Sequence, residues 1–521
     1  VRFGSLYKNK WFYYGLMWGL FGLFALVFQK HILWVDETEW TLVYFKEYGF
    51  FEMIYELTRA TYNMPIYYIF MWFWTRIFGL SVPMLLLPSM IAGLIGIVFI
   101  TKVAEKLGGI KCGIAVCLLC VTSSLVMRMN MWEVRPYSFV FCFSAMALYY
   151  YFYRNNLKDK ILFSCVLVAL ILTHWVASIV ILFYGTFELI KIIKQRKNIL
   201  ELWVYIVPCV LFLIWAAFCL KNSIIGDIKY WLSNYTISYR LFFPFEYLFD
   251  YKIYRMSISL VAQRLYFNYV LLLLFICGCV FAVLKKQFRT ICLCLLFVWV
   301  GVLIIDAFGT SIYHTRYFHA LLPHILIVSG FGLYQTWEYL WAKKKNIRIV
   351  SCGVLVGLVS IMAICNMVYN VKWCFVPNHR DTAYWAVKYI SDNMPDVVDD
   401  PESIIVFANN YYDHAYYCDK VFGHLPERMV FFNGGVYMIP ETKYFDMTHF
   451  TEIEYLLAEK NGEGYHMSKI NPYEYFPQFK RAVVACLYDD DTVINYFRHC
   501  GLFREESSAY NGDVMVFVKI S

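Results

Sequence analysis

Long apolar runs alternate with short charged clusters along most of the chain. Candidate spans lie at 11–28, 83–101, 112–127, 137–153, 161–173, 176–190, 199–219, 267–284, 291–307, 317–335 and 349–367. Runs of this kind predict helices that cross a bilayer, for which about 20 apolar residues are needed. The run 66–80 (IYYIFMWFWTRIFGL) is shorter and rich in the Tyr and Trp that favour the headgroup region. It is expected to form an interfacial or re-entrant helix within an external loop at 30–82. The pair 161–173 and 176–190, joined at His174-Trp175, reads as two short spans.

The pattern changes after about residue 368. The segments 403–408 (SIIVFA), 482–487 (AVVACL) and 513–520 (DVMVFVKI) read as strands, and 381–393 and 491–500 carry helical spacing. The predicted fold class is therefore mainly α. A polytopic transmembrane helical bundle of about eleven spans occupies 1–367, and an extracytoplasmic α/β domain occupies 368–521.

Composition and charge sharpen this picture. Of 521 residues, 60% are hydrophobic and only 16% charged, unlike an average soluble domain. The net charge of +8 comes from clusters between alternate spans, such as Lys102/Lys106/Lys111, Arg154/Lys158/Lys160 and Lys343/Lys344/Lys345/Arg348. The positive-inside rule makes these loops and the amino terminus cytoplasmic, and the carboxyl-terminal domain external. This distribution expresses topology and excludes a nucleic-acid partner. Most of the cysteines sit inside apolar runs as small hydrophobes, with no zinc-site spacing. The start of the chain reads as a retained span, with no cleavage pattern for a signal peptide.

On this topology, polar groups gather at the external ends of the spans. Asp36-Glu37 opens the first external loop. Arg128 and Glu133-Val134-Arg135-Pro136-Tyr137 form the second, His174 caps the third, and His314, Arg316 and Tyr317 close a later one. Singly, each has a plain reading as a solvated loop, a local ion pair or an aromatic belt. Together they suit chemistry on a lipid-linked anion. Arginine grips phosphate through two parallel hydrogen bonds, and a carboxylate takes the proton of an attacking hydroxyl.

At these residues the chain resembles a known family. Asp36-Glu37 is followed by Pro65-Ile66-Tyr67-Tyr68, Leu87-Pro88-Ser89, Trp132-Glu133-Val134-Arg135-Pro136-Tyr137 and Thr173-His174, and more loosely by Arg316-Tyr317. The series is similar to the C-type membrane glycosyltransferases, in the group of dolichyl-phosphate-mannose protein mannosyltransferases and lipid A aminoarabinose transferases. The likeness is best over roughly residues 1–190.

The resemblance implies inverting transfer of a sugar from a polyprenyl-phosphate donor to a hydroxyl of a protein, lipid or glycan acceptor, outside the plasma membrane of a bacterium. Asp36 would be the general base, with Glu37 in support. Glu133, Arg135, Tyr137 and His174 would shape the donor site, and Arg316 would hold the phosphate. Where the family carries a cation, this chain has Asn63, which donates a hydrogen bond without charge. Carboxylates near a phosphate site could recruit a divalent cation, but no ligand set is evident in the sequence. The rival readings are a lipid-linked-sugar transporter or flippase and a non-catalytic polyprenyl-phosphate-binding protein. A transporter is expected to carry ionisable groups near the midplane of the bilayer. Here they sit at span ends, Asp306 being the nearest to an exception.

Overall fold

The apolar runs fold as helices where the pattern places them. The computed structural model describes residues 15, 19, 23, 33, 37–46, 48–59, 63–123, 126–127, 133–196, 198–222, 258–307, 315–375, 383–408, 417–418, 420–423, 426, 428–433, 454–461, 464–470, 472–486, 491–509 and 514–520. Asp36, Arg128, His314 and nearly all of the predicted span 11–28 lie outside the described residues. In chain order the helices are α1 (Phe50–Arg59), α2 (Pro65–Phe78), α3 (Val82–Gly108), α4 (Ile110–Thr122), α5 (Tyr137–Tyr153), α6 (Leu157–Ile171), α7 (Ala177–Gln195), α8 (Trp203–Asn222), α9 (Ile258–Leu284), α10 (Lys286–Ala307), α11 (Leu322–Trp341), α12 (Lys345–Phe375) and α13 (Tyr384–Asn393).

Ten of the eleven predicted spans coincide with these helices. Among the described residues, five stretches are long and apolar enough to cross a membrane alone: Val82–Gly108, Ile199–Asn222, Phe288–Ile305, Tyr317–Trp341 and Lys345–Asn366. Ile110–Thr122 and Val270–Leu284 are shorter apolar helical stretches. Helix α2, with 14 residues, is about 21 Å long and falls short of a span. Helices α6 and α7 are separate, with His174 and Trp175 in the turn between them.

By contacts the chain divides into two compact units. One comprises 1–30, 62–70 and 83–375; the other comprises 31–61, 71–82 and 376–521. In the first unit, α8 and α12 carry exposed apolar side chains along their length, including Leu213, Ile214, Leu220, Val354, Ile361 and Ile364. Faces this apolar over the length of a span suit a lipid surround. Helix α11 is the opposite case, with every residue from Leu322 to Leu333 buried.

Glycines allow α11 its place. A Cβ at Gly332 would strike the carbonyl of Leu274 on α9, one at Gly278 would strike that of Val328, and one at Gly330 would strike the backbone of Val116 on α4. Hydrogen bonds then fix polar groups inside the bundle: Ser144 Oγ donates to Ala320 O at 2.6 Å, and Tyr184 Oη meets His324 Nε2 at 2.8 Å. At one end, Glu188 of α7 pairs with Arg154 at 2.9 Å and Lys191 at 3.6 Å. Arg154 also donates to Tyr205 Oη, and Lys191 to Tyr151 Oη. This clasp draws α5, α7 and α8 together.

The second unit is built on a seven-stranded sheet. Its strands are β1 (Ser403–Ala408), β2 (Arg428–Asn433), β3 (Glu454–Asn461), β4 (Gly464–Ile470), β5 (Arg481–Cys486), β6 (Phe503–Ala509) and β7 (Val514–Lys519), with α14 (Asp491–His499) between β5 and β6. The order is β4-β3-β2-β1-β5-β7-β6, with β1 parallel to both β2 and β5 and the other pairs antiparallel.

Strand alternation divides the core between the two faces. Ile405, Phe407, Val483, Ala485 and Val516 pack with Ala386, Val387 and Ile390 of α13. Ile404, Val406, Ala482, Val484 and Phe517 pack with Phe476, Ile494 and Phe497. The unit is thus a three-layer α/β/α sandwich. Residues near 31–61 also belong to it: Tyr417 Oη donates to Leu33 O at 2.6 Å, Trp72 Nε1 to Tyr48 O at 3.1 Å and Arg76 Nη1 to Phe45 O at 2.7 Å.

Close approach at the glycines predicts a sharp contrast between two substitutions. Gly332→Leu overpacks the α9–α11 contact and is expected to lower stability by about 1–3 kcal/mol or more. Gly353→Leu, into open space, should change it by less than about 0.5 kcal/mol. Thermal unfolding of the two variants in detergent checks this.

Candidate functional site

Proline punctuation brings several predicted site residues to one place in the first unit. Pro65 begins α2, where its missing N–H is no loss. The helix is anchored by Ile66 N–H donating to Leu172 O at 3.0 Å, two residues before His174. Asn63, half-buried, lies two residues before its first residue. Tyr67 and Tyr68 are fully buried, and the Tyr67 ring lies 5.3 Å from that of Phe139 on α5.

On α3, Pro88 lies inside the helix and cannot complete the ladder. The next residue, Ser89, donates its hydroxyl to Glu133 O at 2.9 Å, a wholly buried bond across 44 residues of sequence. This pins the turn 133–136. Pro136 caps α5, which opens with Tyr137.

Tyr137 is the hub. Its buried ring lies 6.0 Å from His174 and 5.5 Å from His319, and the Arg135 guanidinium is 5.8 Å from its centroid. His174 in turn lies 5.3 Å from Tyr317, and Trp175 is 6.1 Å from Tyr317. Tyr317 and His319 come from a 3-10 turn at Thr315–Leu321, which Ser144 of α5 fastens at Ala320. Arg316 belongs to the same turn. Glu133 is buried, and Arg135 is half-buried.

The structure therefore gathers Glu133, Arg135, Tyr137 and His174 with the turn that bears Arg316. Glu37, fully buried, belongs to the second unit, where it precedes a π-helical turn at Thr38–Leu42. His319 was not singled out by its sequence, which offers only an imidazole between Phe318 and Ala320. Its full burial against Tyr137 is a tertiary fact.

Electrostatics assign the charge. Burial, then His319 and Arg135 nearby, push the His174 imidazole down to about 3. Val176 N–H donates to His174 Nδ1 at 3.3 Å, so the neutral ring carries its proton on Nε2. The site thus combines a permanent guanidinium with a neutral imidazole donor and tyrosine rings, a combination able to receive an anion and flank its apolar part.

The fold is that of the C-type membrane glycosyltransferases. It is similar to the solved structures of ArnT, the lipid A aminoarabinose transferase, from Cupriavidus metallidurans. The apo form matches with a TM-score of 0.54 and the form bound to undecaprenyl phosphate with 0.52; each is 11% identical and aligns over 98% of this chain and 97% of that one. At that identity the likeness is one of fold. The archaeal oligosaccharyltransferase AglB from Archaeoglobus fulgidus, solved with an inhibitory peptide and a dolichol-phosphate, gives 0.43 at 11% identity over 80% of this chain and 65% of its own, too distant to bear on the argument. No family model and no curated protein matches the sequence.

The neutral His174 has a consequence for stability. In the unfolded chain an imidazole takes up its proton near pH 6.5, but in the folded one only near pH 3. Between these values the unfolded state binds more protons. The His174 contribution is therefore complete above pH 6.5 and is lost as pH falls towards 3, by up to about 1.4 kcal/mol per pH unit. Thermal unfolding from pH 7 to pH 5 should show a smaller loss in His174→Gln than in the unaltered protein. Equal losses would contradict the assignment.

Proposed function

We propose that this protein is an inverting glycosyltransferase that moves a sugar from a polyprenyl-phosphate donor to a hydroxyl acceptor on the extracytoplasmic side of the plasma membrane. The carrying observation is the placement of Arg135 with Tyr137, His174 and the Arg316-bearing turn in one cluster on a C-type fold. ArnT, whose fold is shared, was solved with undecaprenyl phosphate bound.

The chemistry follows from the groups. Asp36 takes the proton of the acceptor hydroxyl, whose oxygen attacks the anomeric carbon from the face opposite the phosphate. The bond from that carbon to the phosphate oxygen breaks, and the polyprenyl phosphate departs with the electron pair. A phosphate leaves as an anion without a general acid, provided that cations meet its growing charge. Arg135 and Arg316 supply that charge, and Nε2–H of His174 adds a neutral donor. Asn63 orients without charge, Glu133 holds the turn that carries Arg135, and Glu37 supports Asp36. The acceptor is a protein, lipid or glycan hydroxyl.

Purified protein supplied with radiolabelled sugar on polyprenyl phosphate tests the reading. Transfer should vanish in Asp36→Asn. In Arg135→Gln, kcat should fall about 10²–10³-fold, the usual effect of losing one group that stabilises developing charge. Arg135→Lys should recover only part, because an ammonium lacks the planar fork. Full turnover in both Asp36→Asn and Arg135→Gln would overturn the proposal.

A further inference from the structure

A cationic patch made of other residues lies at the carboxyl-terminal end of α3. Ile91, Ile95, Phe99, Lys102 and Lys106 recur at helical spacing on that helix, within about 80° of one another around its axis. Ile91 and Ile95 are exposed, Phe99 and Lys102 are half-buried, and Lys106 is exposed. The stripe is apolar along the span and becomes cationic at its end.

Helix α5 completes the cationic end. Tyr149 and Tyr153 stack with ring centroids 4.2 Å apart. The Lys106 ammonium lies 3.5 Å from the Tyr153 ring, and Lys102 lies 5.7 Å from Phe99 and 6.0 Å from Tyr149. Backbone bonds hold the pair of helices together here: Tyr153 Oη donates to Lys102 O and Lys106 Nζ to Phe152 O, both at 3.1 Å. One of the three donors of Lys106 is thereby used. The neighbouring carboxylate, Glu105, lies on the side of α3 that faces Gly113 of α4. Both lysines are thus held on an aromatic ledge, and among the described residues neither is in an ion pair with a carboxylate.

We infer that this ledge binds an anionic phospholipid, its phosphate between Lys102 and Lys106 and an acyl chain along Ile91 and Ile95. Charge complementarity selects an anionic headgroup over a zwitterionic one, and the continuity of the apolar stripe with the lysines selects a lipid over a soluble anion. The sequence places this end of α3 on the side rich in basic loops, where anionic lipid attracts them. The inference needs α3 to span a membrane and does not depend on the transfer reaction.

Native mass spectrometry of the detergent-purified protein, titrated with phosphatidylglycerol, phosphatidylcholine or inorganic phosphate, tests it. Phosphatidylglycerol should bind tightest. Affinity should fall about fivefold in Lys106→Gln and about 30-fold in Lys102→Gln/Lys106→Gln, from about 1 kcal/mol for each basic side chain at an anionic surface. Lys343→Gln/Lys344→Gln, which removes equal charge from another basic loop, should bind as the unaltered protein does. Lys106 is exposed, so its single substitution keeps the test informative if the double variant fails to fold. Unchanged affinity in Lys106→Gln, equal binding of phosphatidylcholine, equal binding of inorganic phosphate, or an equal loss in the Lys343/Lys344 variant would each overturn the inference.

Discussion

The close backbone contacts of α11 are the constraint on which the first unit rests. Gly330 and Gly332 let the backbone of this helix lie close against α4 and α9, and Gly278 answers from α9. In a lipid environment, helices gain little from hiding apolar surface from one another, so intimate packing by small residues supplies much of the association. The depth of α11 also sets the position of the 3-10 turn at its amino-terminal end. That turn carries Arg316, Tyr317 and His319, and Ser144 locks it to α5. Three glycines thereby help to decide where two site rings lie relative to Tyr137.

The remaining parts of the cluster are held by bonds that span long stretches of sequence. Ser89 holds the carbonyl of Glu133, and Leu172 holds the start of α2. None of these is a strong interaction by itself, since a buried neutral hydrogen bond contributes about 1 kcal/mol net. Their effect is geometric. Each converts a flexible connection at the end of a helix into a fixed turn, so that Arg135 and His174 are presented by scaffold rather than by loop. Burial then settles the protonation of His174. With the His174 imidazole neutral, Arg135 brings to the cluster a positive charge that it keeps at every physiological pH.

Much of this architecture is readable in the chain because apolar runs and proline are strong local signals. Pro136 and the unbroken run after it mark α5 to the residue, and the brevity of 66–80 separates α2 from the spans. Strands β1, β5 and β7 are legible because both their faces are buried, leaving nearly continuous apolar sequence. Strand β6 (FREESSA) escapes the same reading, since it is an edge strand whose charged side chains protect it from further pairing. β3 and β4 are likewise polar in part, and β4 forms the other edge. Of the site, the Arg135–Tyr137 motif and His174 stand out as sequence. The meeting of Tyr137 with His319 joins residues 182 apart, and no local pattern encodes it. Glu37 looks like a loop residue beside Asp36, yet its side chain is wholly buried.

In the proposed reaction the phosphate of a polyprenyl carrier is received by the Arg135 cluster. An experimental structure of the protein with undecaprenyl phosphate tests it most directly. Phosphate density is expected within hydrogen-bonding reach of the Arg135 guanidinium, beside Tyr137 and His174. A well-defined carrier phosphate bound elsewhere, with Arg135 uninvolved, would contradict it.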